Sequence, residues 1–318
     1  MRYYFAPMEG VTGYIYRNAH QEFYPGIDKY FTPFIATNKN LKFKSREIND
    51  ILPEHNKGIC LVPQFLSNNA RDFIEMAKEI SNLGYKEINL NLGCPSGTVV
   101  AKHKGSGFLA KPEQLDCFLE EIFTYVNTRI SIKTRIGKDN PDEFEQLLAI
   151  YNKYPIEELT IHPRIQTDFY KNQPNLTVFS MAIKESKNPI CYNGDLFQIS
   201  DCVKIQEDFP MLTSVMLGRG LIRNPNLIQE VTKGENHNKK VLKKFHDKIY
   251  HDYQNVLFGD KNVIFKMREI WFYMSSLFSN YEQYEKKIKR TEKMKEYEKI
   301  VEDLFQYEEL VNEAKSGF

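Results

Sequence analysis

Short apolar runs alternate with amphipathic stretches from the first residues to about position 230. Eight of these runs are rich in β-forming residues, and they begin at Tyr3, Tyr30, Ile59, Glu87, Arg129, Glu158, Pro189 and Thr213. The stretches between them have helical periodicity. One of these, NARDFIEMAKEISNLG, is predicted to start from a cap at Asn68 or Asn69 and to end at Gly84. This alternation is typical of βαβ units around a parallel sheet, and eight such units predict a (β/α)8, or TIM, barrel.

The pattern changes after the polar segment KGENHNKK, residues 233–240. Glycine and strand patterns nearly vanish, and long helical stretches rich in Lys, Glu and Tyr follow. The segment FKMREIWFYMSSLF, which starts at Phe265, is apolar on too many faces for a solvated helix and is predicted to lie inside a helical bundle. We therefore predict an α/β fold with two domains, a barrel over residues 1–235 and a small all-helical domain over residues 236–318.

Composition narrows the class of protein but does not identify a partner. The chain has 318 residues, 43 Lys and Arg against 42 Asp and Glu, and a net charge of +1. The five cysteines are odd in number and lack CxxC spacing, so neither a disulfide framework nor a metal site is predicted. The first residues contain too short an apolar run for a signal peptide, and no stretch is long enough for a membrane span. We expect a cytoplasmic protein with no membrane association.

Polar or reactive residues follow the apolar part of six successive runs. They are Gln64, Cys94, Lys133 with Arg135, His162 with Arg164, Asn193 with Asp195, and Gly218 with Arg219. In a parallel barrel the carboxyl ends of all strands face the same mouth, so these residues are expected to converge on one site. For any single residue, the simpler interpretation is that it only begins a loop.

The last two runs end in the glycine-containing segments YNGD and LGRG. Backbone N–H groups at Gly194 and Gly218 can approach an anion, and Arg219 lies beside the second glycine. Loops after strands seven and eight often hold a cofactor phosphate in barrels. The alternative is that both glycines serve only tight turns. A helix is expected to start near Asn224.

Lys133, His162 and Cys94 are the candidate chemical groups. A lysine held near a flavin ring stabilises its reduced anion, and an ammonium group is costly to bury without a partner. His162 is as readily a structural histidine as a functional one. A free thiol has a reference pKa of about 8.5 and can donate a proton at neutral pH, although His103 on the same loop leaves a nucleophile pairing open. The other four cysteines, Cys60, Cys117, Cys191 and Cys202, are predicted to be core residues.

Several motifs together carry a family resemblance. They are APMEGVTG from Ala6, PQ from Pro63, NLGCPSGTVVAKHKGSGFL from Asn91, IKTRIG from Ile132, TIHPRIQTDFY from Thr160, NGD from Asn193, LGRG from Leu217 and KMREIWFYM from Lys266. In this order they resemble the tRNA-dihydrouridine synthase family. The resemblance implies an FMN-binding TIM barrel followed by a helical domain. It also implies that NADPH reduces the flavin and that the flavin reduces uridine in folded RNA.

The resemblance also implies roles for individual residues. Cys94 would protonate carbon 5 of uracil while the flavin delivers hydride to carbon 6. The residues implied to bind FMN are Pro7, Met8, Glu9, Gln64, Lys133, His162, Asn193, Gly194, Asp195, Gly218 and Arg219. Those implied to contact the target nucleotide or its RNA are Asn91, Arg135 and Arg164. The segment HPRIQ from His162 departs from the HGRT form that the family often has.

RNA binding has separate support in the lysine-rich runs KKVLKK from Lys239 and KKIKRTEKMK from Lys286. Glutamates interleave or follow both runs, so solvated helix faces explain them equally simply. We expect a monomeric enzyme that acts on tRNA, or on ribosomal RNA, with FMN as cofactor and NADPH as reductant. The alternatives are an FMN barrel that reduces a small enone or a free pyrimidine, and an RNA-binding barrel without activity.

Overall fold

The protein is described here by a computed structural model, which covers residues 1–37 and 42–311. Within these residues the strands form one ten-stranded sheet whose strand pairs are parallel. The strands are β1 (Arg2–Phe5), β2 (Lys29–Phe31), β3 (Ile35–Ala36), β4 (Leu61–Val62), β5 (Gln64–Leu66), β6 (Glu87–Leu92), β7 (Arg129–Arg135), β8 (Leu159–His162), β9 (Ile190–Tyr192) and β10 (Ser214–Leu217). Their order is β3-β5-β6-β7-β8-β9-β10-β1-β2-β4.

This order describes a closed barrel, because each end strand of the sheet belongs to the same segment as a strand at or near the opposite end. β4 and β5 are separated only by Pro63, which has no N–H to donate to a strand ladder. β4 pairs with β2, and β5 pairs with β6 and β3. β2 and β3 likewise lie in one predicted run. The ten strands therefore correspond to the eight predicted runs, and the predicted (β/α)8 barrel is confirmed.

The helices that the structure describes follow the predicted alternation and then the predicted helical C-terminal region. They are α1 (Tyr14–Phe23), α2 (Ser45–Ile51), α3 (Ala70–Asn82), α4 (Gly97–Val100), α5 (Pro112–Tyr125), α6 (Glu143–Tyr151), α7 (Leu176–Glu185), α8 (Ile199–Asp208), α9 (Arg219–Arg223), α10 (Leu227–Lys233), α11 (Lys239–Val256), α12 (Asp260–Met274), α13 (Tyr281–Arg290) and α14 (Met294–Tyr307). Short 3-10 turns cover Pro53–His55, Gly105–Phe108, Gln166–Asp168 and Ser275–Leu277.

Helix α3 shows how local sequence sets these boundaries. Its apolar residues recur on one face, and Phe73, Met76 and Ile80 are buried there. The side chain of Asn69 accepts a hydrogen bond from the backbone N–H of Asp72 at 2.9 Å, so Asn69 is the cap, as one of the two predicted positions. Gly84 follows the helix with a φ of 92°, a conformation that favours glycine.

The barrel interior combines an apolar half with a polar half. Tyr4, Ala6, Phe31, Val62, Cys191 and Met216 form a buried cluster contributed by β1, β2, β4, β9 and β10. On β6 the residues alternate in chemistry, with Ile88, Leu90 and Leu92 separated by polar Asn89 and Asn91, and the whole strand is buried. This alternation indicates that the apolar residues of β6 face one side of the sheet and the amides the other.

Contacts between Cα atoms divide the chain into two units that interleave along the sequence. The first comprises Met1–Pro7, Asp28–Asp195 and Gln206–Leu217, and it contains the whole sheet. The second comprises Met8–Ile27, Leu196–Ile205 and Gly218–Phe318. The predicted domains, residues 1–235 and 236–318, remain a prediction.

The second unit has an aromatic and hydrogen-bonded core. Trp271 donates from Nε1 to the Tyr297 hydroxyl at 2.8 Å, and this hydroxyl lies 2.6 Å from Nε2 of His246. Burial lowers the pKa of His246, so the neutral ring is favoured. The predicted burial of the segment from Phe265 is confirmed for four residues of α12, Met267, Ile270, Trp271 and Met274. Phe265 and Phe272 of the same segment are exposed instead.

The predicted burial of two of the cysteines is wrong. Cys60 and Cys117 are exposed, whereas Cys191 and Cys202 are buried as predicted. Cys117 lies on the solvent face of α5, opposite the buried side chains of that helix. The helix expected to start near Asn224 is α10, which begins at Leu227, and a short helix that the sequence did not predict, α9, precedes it directly after Gly218.

Two features are absent from residues 1–37 and 42–311. In these residues no helix combines the length and apolar character that a bilayer span requires. The same residues contain no group of three or more His, Cys, Asp or Glu side chains placed to hold a metal ion.

Candidate active site

The carboxyl ends of the strands in the first unit bring most of the predicted site residues to one end of the sheet. These residues are Pro7 after β1, Gln64 on β5, Asn91 and Cys94 at the end of β6, Lys133 and Arg135 on β7, His162 and Arg164 at the end of β8, and Asn193, Gly194 and Asp195 after β9. Residues from strands far apart in sequence therefore share one end of the barrel, as its topology requires.

A chain of buried amides leads from the barrel interior to Cys94. Gln64 donates from Nε2 to Oδ1 of Asn89 at 2.8 Å, and its Oε1 accepts from Nδ2 of Asn91 at 2.7 Å. Oδ1 of Asn91 then accepts the backbone N–H groups of Gly93 and Cys94, at 3.0 and 2.7 Å. The Asn91 side chain therefore sets the main-chain conformation at the cysteine. Its predicted contact with the nucleotide stays a prediction.

The carbonyl of Cys94 is held from the other side of its loop. Ser106 donates to this oxygen from both its backbone N–H and its hydroxyl, at 3.1 and 2.8 Å. Gly105 has a φ of 55°, and a Cβ placed on it would lie 2.7 Å from the same oxygen. Only glycine fits this approach, which explains the sequence KGSG after the cysteine. Cys94 itself is half-buried.

Lys133 brings positive charge close to this thiol. Its side chain is half-buried on β7, in register with Asn91 on β6. Burial, and then the positive charge of Arg135, lower the pKa of Lys133 to about 8. The thiols of Cys94 and Cys191 act in the opposite direction and raise it. An anion bound at this end of the sheet would interact favourably with the ammonium group.

Arg135 is buried, and its guanidinium group donates hydrogen bonds to main-chain carbonyl groups. It donates to Gly93 O at 2.9 Å, to Ile165 O at 2.8 Å and to Phe169 O at 2.8 Å. Its guanidinium carbon lies 5.5 Å from the ring centroid of Tyr170. Arg135 therefore joins the cysteine loop to the loop after β8. The contact with the target nucleotide that the sequence predicts for it is not tested by these bonds.

His162, Arg164 and Asp195 form a second network. The buried guanidinium of Arg164 makes a two-pronged ion pair with Asp195 and approaches Nε2 of His162 at 2.9 Å. An arginine can only donate, so Nε2 of His162 accepts and the proton of the neutral ring is on Nδ1. The ring of Tyr170 stacks on His162 with a centroid distance of 6.0 Å. The network fixes the tautomer of this histidine.

The segment after β9 is closely packed. Asn193 donates from its side chain to Met216 O at 2.8 Å and from its backbone to Ile161 O at 2.9 Å. A Cβ placed on Gly194 would lie 2.0 Å from the hydroxyl oxygen of Tyr192. Glycine is therefore required by space at this position.

The remaining predicted residues belong to the second unit. Met8 donates its N–H to Oγ1 of Thr12 at 2.8 Å, in a turn that includes Glu9. Gly218 caps α9, and the guanidinium of Arg219 lies 5.1 Å from the ring centroid of Phe197.

Sequence reasoning missed three residues that support this end of the barrel. Asn89 continues the amide chain, Ser106 holds the cysteine carbonyl, and Tyr170 contacts both His162 and Arg135. The alternation EINLNL on β6 is a signal for Asn89, since a polar residue inside an otherwise apolar strand needs a buried partner. Ser106 and Tyr170 carry no comparable local signal.

The fold and these side chains define a (β/α)8-barrel protein with a cysteine, a lysine and a histidine at the carboxyl ends of its strands. The family model for dihydrouridine synthases matches residues 4–312. The chain belongs to the dihydrouridine synthase family, whose members are oxidoreductases.

Curated relatives agree with this assignment. The chain is 28% identical over 230 residues to the tRNA-dihydrouridine(16) synthase of Pseudomonas putida, covering 70% of each protein. It is 26% identical over 244 residues to a probable tRNA-dihydrouridine synthase of Staphylococcus epidermidis, covering 74% of this chain and 73% of that protein.

Among solved structures, a 2-naphthoyl-CoA reductase aligns with a TM-score of 0.57 and 12% identity over 74% of this chain and 50% of its own. Morphinone reductase with tetrahydroNAD aligns with a TM-score of 0.51 and 12% identity over 74% of this chain and 88% of its own. At this level of identity the two structures support the barrel fold alone.

Proposed function

We propose that this protein reduces uridines in transfer RNA to 5,6-dihydrouridine, with bound FMN as cofactor and NADPH as reductant. The names of the two curated relatives support the substrate. The observation that carries the proposal is the position of Cys94, half-buried at the end of β6 beside the amide chain and within electrostatic range of Lys133.

The residues at the strand ends fit a flavin. Lys133 supplies a cation, His162 presents a ring with its proton on Nδ1, and Gln64 supplies a buried amide. At Gly194 the Tyr192 hydroxyl occupies the space of a side chain, so only glycine fits at this position. When bound, FMN would carry hydride equivalents from NADPH to uracil.

In this proposal FMN is held by the full set that the family resemblance implies. The set comprises Pro7, Met8, Glu9, Gln64, Lys133, His162, Asn193, Gly194, Asp195, Gly218 and Arg219. Lys133 is the strongest single contributor, because its ammonium group is disfavoured by burial until an anion binds beside it. Arg164 contributes by forming an ion pair with Asp195 and by donating to Nε2 of His162, which fixes the tautomer of that ring.

Cys94 acts as the proton donor. The double bond between carbons 5 and 6 of uracil becomes a single bond when carbon 6 gains a hydride and carbon 5 gains a proton. The thiol of Cys94 supplies the proton and is left as a thiolate, which solvent reprotonates. Asn91 and Ser106 hold the backbone on both sides of the cysteine, so the thiol direction is set before RNA binds.

The helical C-terminal region contributes to RNA binding through α13 in this proposal. Lys286, Lys289 and Arg290 of α13 are exposed. By contrast, the run on α11 is partly neutralised, because Lys243 pairs with Asp247 at 2.6 Å. Exposed lysines contact phosphates without demanding a particular base. We further propose that the enzyme acts as a cytoplasmic monomer with domains at residues 1–235 and 236–318, and that tRNA is its substrate rather than ribosomal RNA.

A single-turnover comparison of Cys94→Ala with the wild-type protein tests the proposed function. Flavin reduction by NADPH should be unchanged, whereas reoxidation by unmodified tRNA should slow by ~10²–10⁴, the usual contribution of a general acid. Cys117→Ala is the matched control, since Cys117 is exposed on α5. Reoxidation of Cys94→Ala at the wild-type rate would refute the role of the thiol. If wild-type flavin is not reoxidised by RNA but is reoxidised by a small enone, the proposed substrate is wrong.

A further inference from the structure

A groove in the first unit lies beside the loop that carries Cys94. Its volume is about 620 Å³, and it is bordered by Phe34 after β2, by residues 36–37 and 42–44, and by helix α4 with the turn that follows it. Six of its lining residues are cationic or aromatic: Phe34, Lys42, Phe43, Lys44, Lys102 and Lys104. We call this the lysine groove.

The charge of the lysine groove is of one sign. Among the residues that the structure describes, the lining includes four lysines and no carboxylate. Glu75 and Glu79 lie in a neighbouring depression, which shares Lys42 and Phe43 with the groove. An anionic ligand that enters the lysine groove therefore meets four lysines on its walls, although Nζ of Lys44 also lies 3.9 Å from Oε1 of Glu47.

The aromatic residues give the groove a second property. Phe34 and Phe43 are each partly exposed on its wall. Single-stranded nucleic acid is commonly bound by lysines that contact phosphates and by aromatic rings that stack on bases. A groove with four lysines and two phenylalanines fits a nucleotide better than it fits inorganic phosphate, because phosphate has no base that could stack on the rings.

The walls of the lysine groove are tied to the cysteine loop. Lys104 donates from Nζ to Thr37 O at 3.2 Å, which joins this loop to the end of β3. Asn68 donates from its side chain to Lys102 O at 3.0 Å and to His103 O at 3.1 Å. A Cβ placed on Gly105 would lie 3.0 Å from Val99 of the groove wall and 2.7 Å from Cys94 O. The groove and the thiol are therefore parts of one packed loop structure.

Lys104 is also the least solvated of the four lysines. It is half-buried, and burial lowers its pKa while the charge of Asp72 raises it. Phosphate oxygens in the groove would replace the solvation that this ammonium group has lost.

We propose that the lysine groove binds an unpaired nucleotide of the RNA substrate next to the uridine that is reduced. The lysines contact the phosphates on either side of this nucleotide, and Phe34 and Phe43 contact its base. A uridine inside a stack must be turned out to react, and holding its neighbour in an extended conformation favours that change. The inference rests on the proposed function, because it assumes an RNA substrate.

The test measures RNA binding without turnover. The holoenzyme without NADPH is titrated with unmodified tRNA and with a short oligouridylate at several salt concentrations, for the wild type and for the triple variant Lys42→Ala, Lys44→Ala, Lys102→Ala. Each phosphate contact to a single strand contributes a slope of about 0.7 in log K against log salt. Because the triple variant loses three such contacts, the magnitude of its slope should be smaller than that of the wild type by about 2. Its binding at 0.1 M salt should be about 100-fold weaker.

The matched control is Lys184→Ala with Lys187→Ala, two exposed lysines in the last turn of α7 and in the loop before β9, at the opposite ends of the strands. It should leave the slope unchanged. Phe43→Ala should weaken oligouridylate binding by about tenfold at constant slope, as expected for loss of a stacked base. An unchanged flavin reduction by NADPH in every variant shows that the barrel is folded.

The outcomes separate this inference from the proposed function. If the triple variant has the slope and affinity of the control, the lysine groove does not bind RNA, even when the wild type forms dihydrouridine. If the slope falls as expected but the wild type forms no dihydrouridine, the groove assignment holds and the proposed reaction is wrong. If the slope falls and Phe43→Ala binds oligouridylate as the wild type does, the groove binds phosphates only and the base contact is refuted.

Discussion

Replacement of Lys133 by methionine should stabilise the flavin-free protein. The pKa of Lys133 falls from an ordinary value of 10.5 to about 8, chiefly because the ammonium group is buried. At about 1.4 kcal/mol per pH unit, this gap corresponds to about 3 kcal/mol of folding free energy. Below pH 8 the lysine is charged in both states, so the full cost opposes folding. Methionine has a similar length and carries no charge, which removes the cost.

The pH dependence has a definite sign. Between pH 8 and 10.5 the unfolded chain binds more protons at this residue than the folded chain, so the free energy of unfolding of the wild type rises with pH in that window. The advantage of Lys133→Met should be about 3 kcal/mol at pH 7 and should fall below about 1 kcal/mol near pH 10.5. The prediction applies to the protein stripped of flavin, because a bound anion would stabilise the charged lysine.

Urea unfolding followed by circular dichroism measures this difference. The wild type, Lys133→Met and the control Lys187→Met, whose lysine is exposed, are compared at several pH values. The control should follow the wild type at every pH. A Lys133→Met protein that is no more stable than the wild type at pH 7 would refute the burial argument. A stability difference that stays constant from pH 7 to 10.5 would show that packing, and not charge, is the cause.

Three further substitutions test the packing of the site. Gly194→Ala should destabilise the protein by about 1–3 kcal/mol in urea unfolding, and Tyr192→Phe should not rescue it, since the ring carbon that bears the hydroxyl would lie 2.3 Å from the new Cβ. Asp195→Asn should lower the urea midpoint more than Arg164→Met does, because the arginine left behind is 1% exposed whereas the aspartate is 24% exposed. Asn91→Ala should lower the rate of RNA reduction by about 10²-fold in single turnovers while flavin content stays at the wild-type level, because the backbone N–H groups of Gly93 and Cys94 lose their acceptor.

The sequence predicted the barrel and its eight runs because strand and helix formation depend on nearby residues. β-branched and apolar residues repeat at short range, and the cap at Asn69 and the turn at Gly84 are local features. The convergence of the site residues was predicted for the same reason, since parallel strands have their carboxyl ends on one edge. The resemblance to the family added the roles of these residues, which the pattern alone did not provide.

Other properties depended on partners distant in sequence. The sequence shows that residue 135 is an arginine but does not reveal which three carbonyl groups accept its hydrogen bonds. Two of these acceptors lie 30 and 34 residues away along the chain. Cys60 and Cys117 were predicted to be buried from residue type, yet burial depends on which face of an element another element covers. Pro63 splits one predicted run into two strands with different neighbours, and this split closes the barrel.

The sequence by itself therefore determined the order of strands and helices, the family and the residues able to carry chemistry. Only the tertiary structure decided which atoms those residues bind. Asn91 acts on the cysteine backbone, and Phe34, residues 42–44 and the loop after β6 meet to form the lysine groove. The physical reason is that secondary structure follows from interactions over a few residues, whereas hydrogen-bond partners, burial and pKa values follow from contacts that exist only after the chain has closed into a barrel.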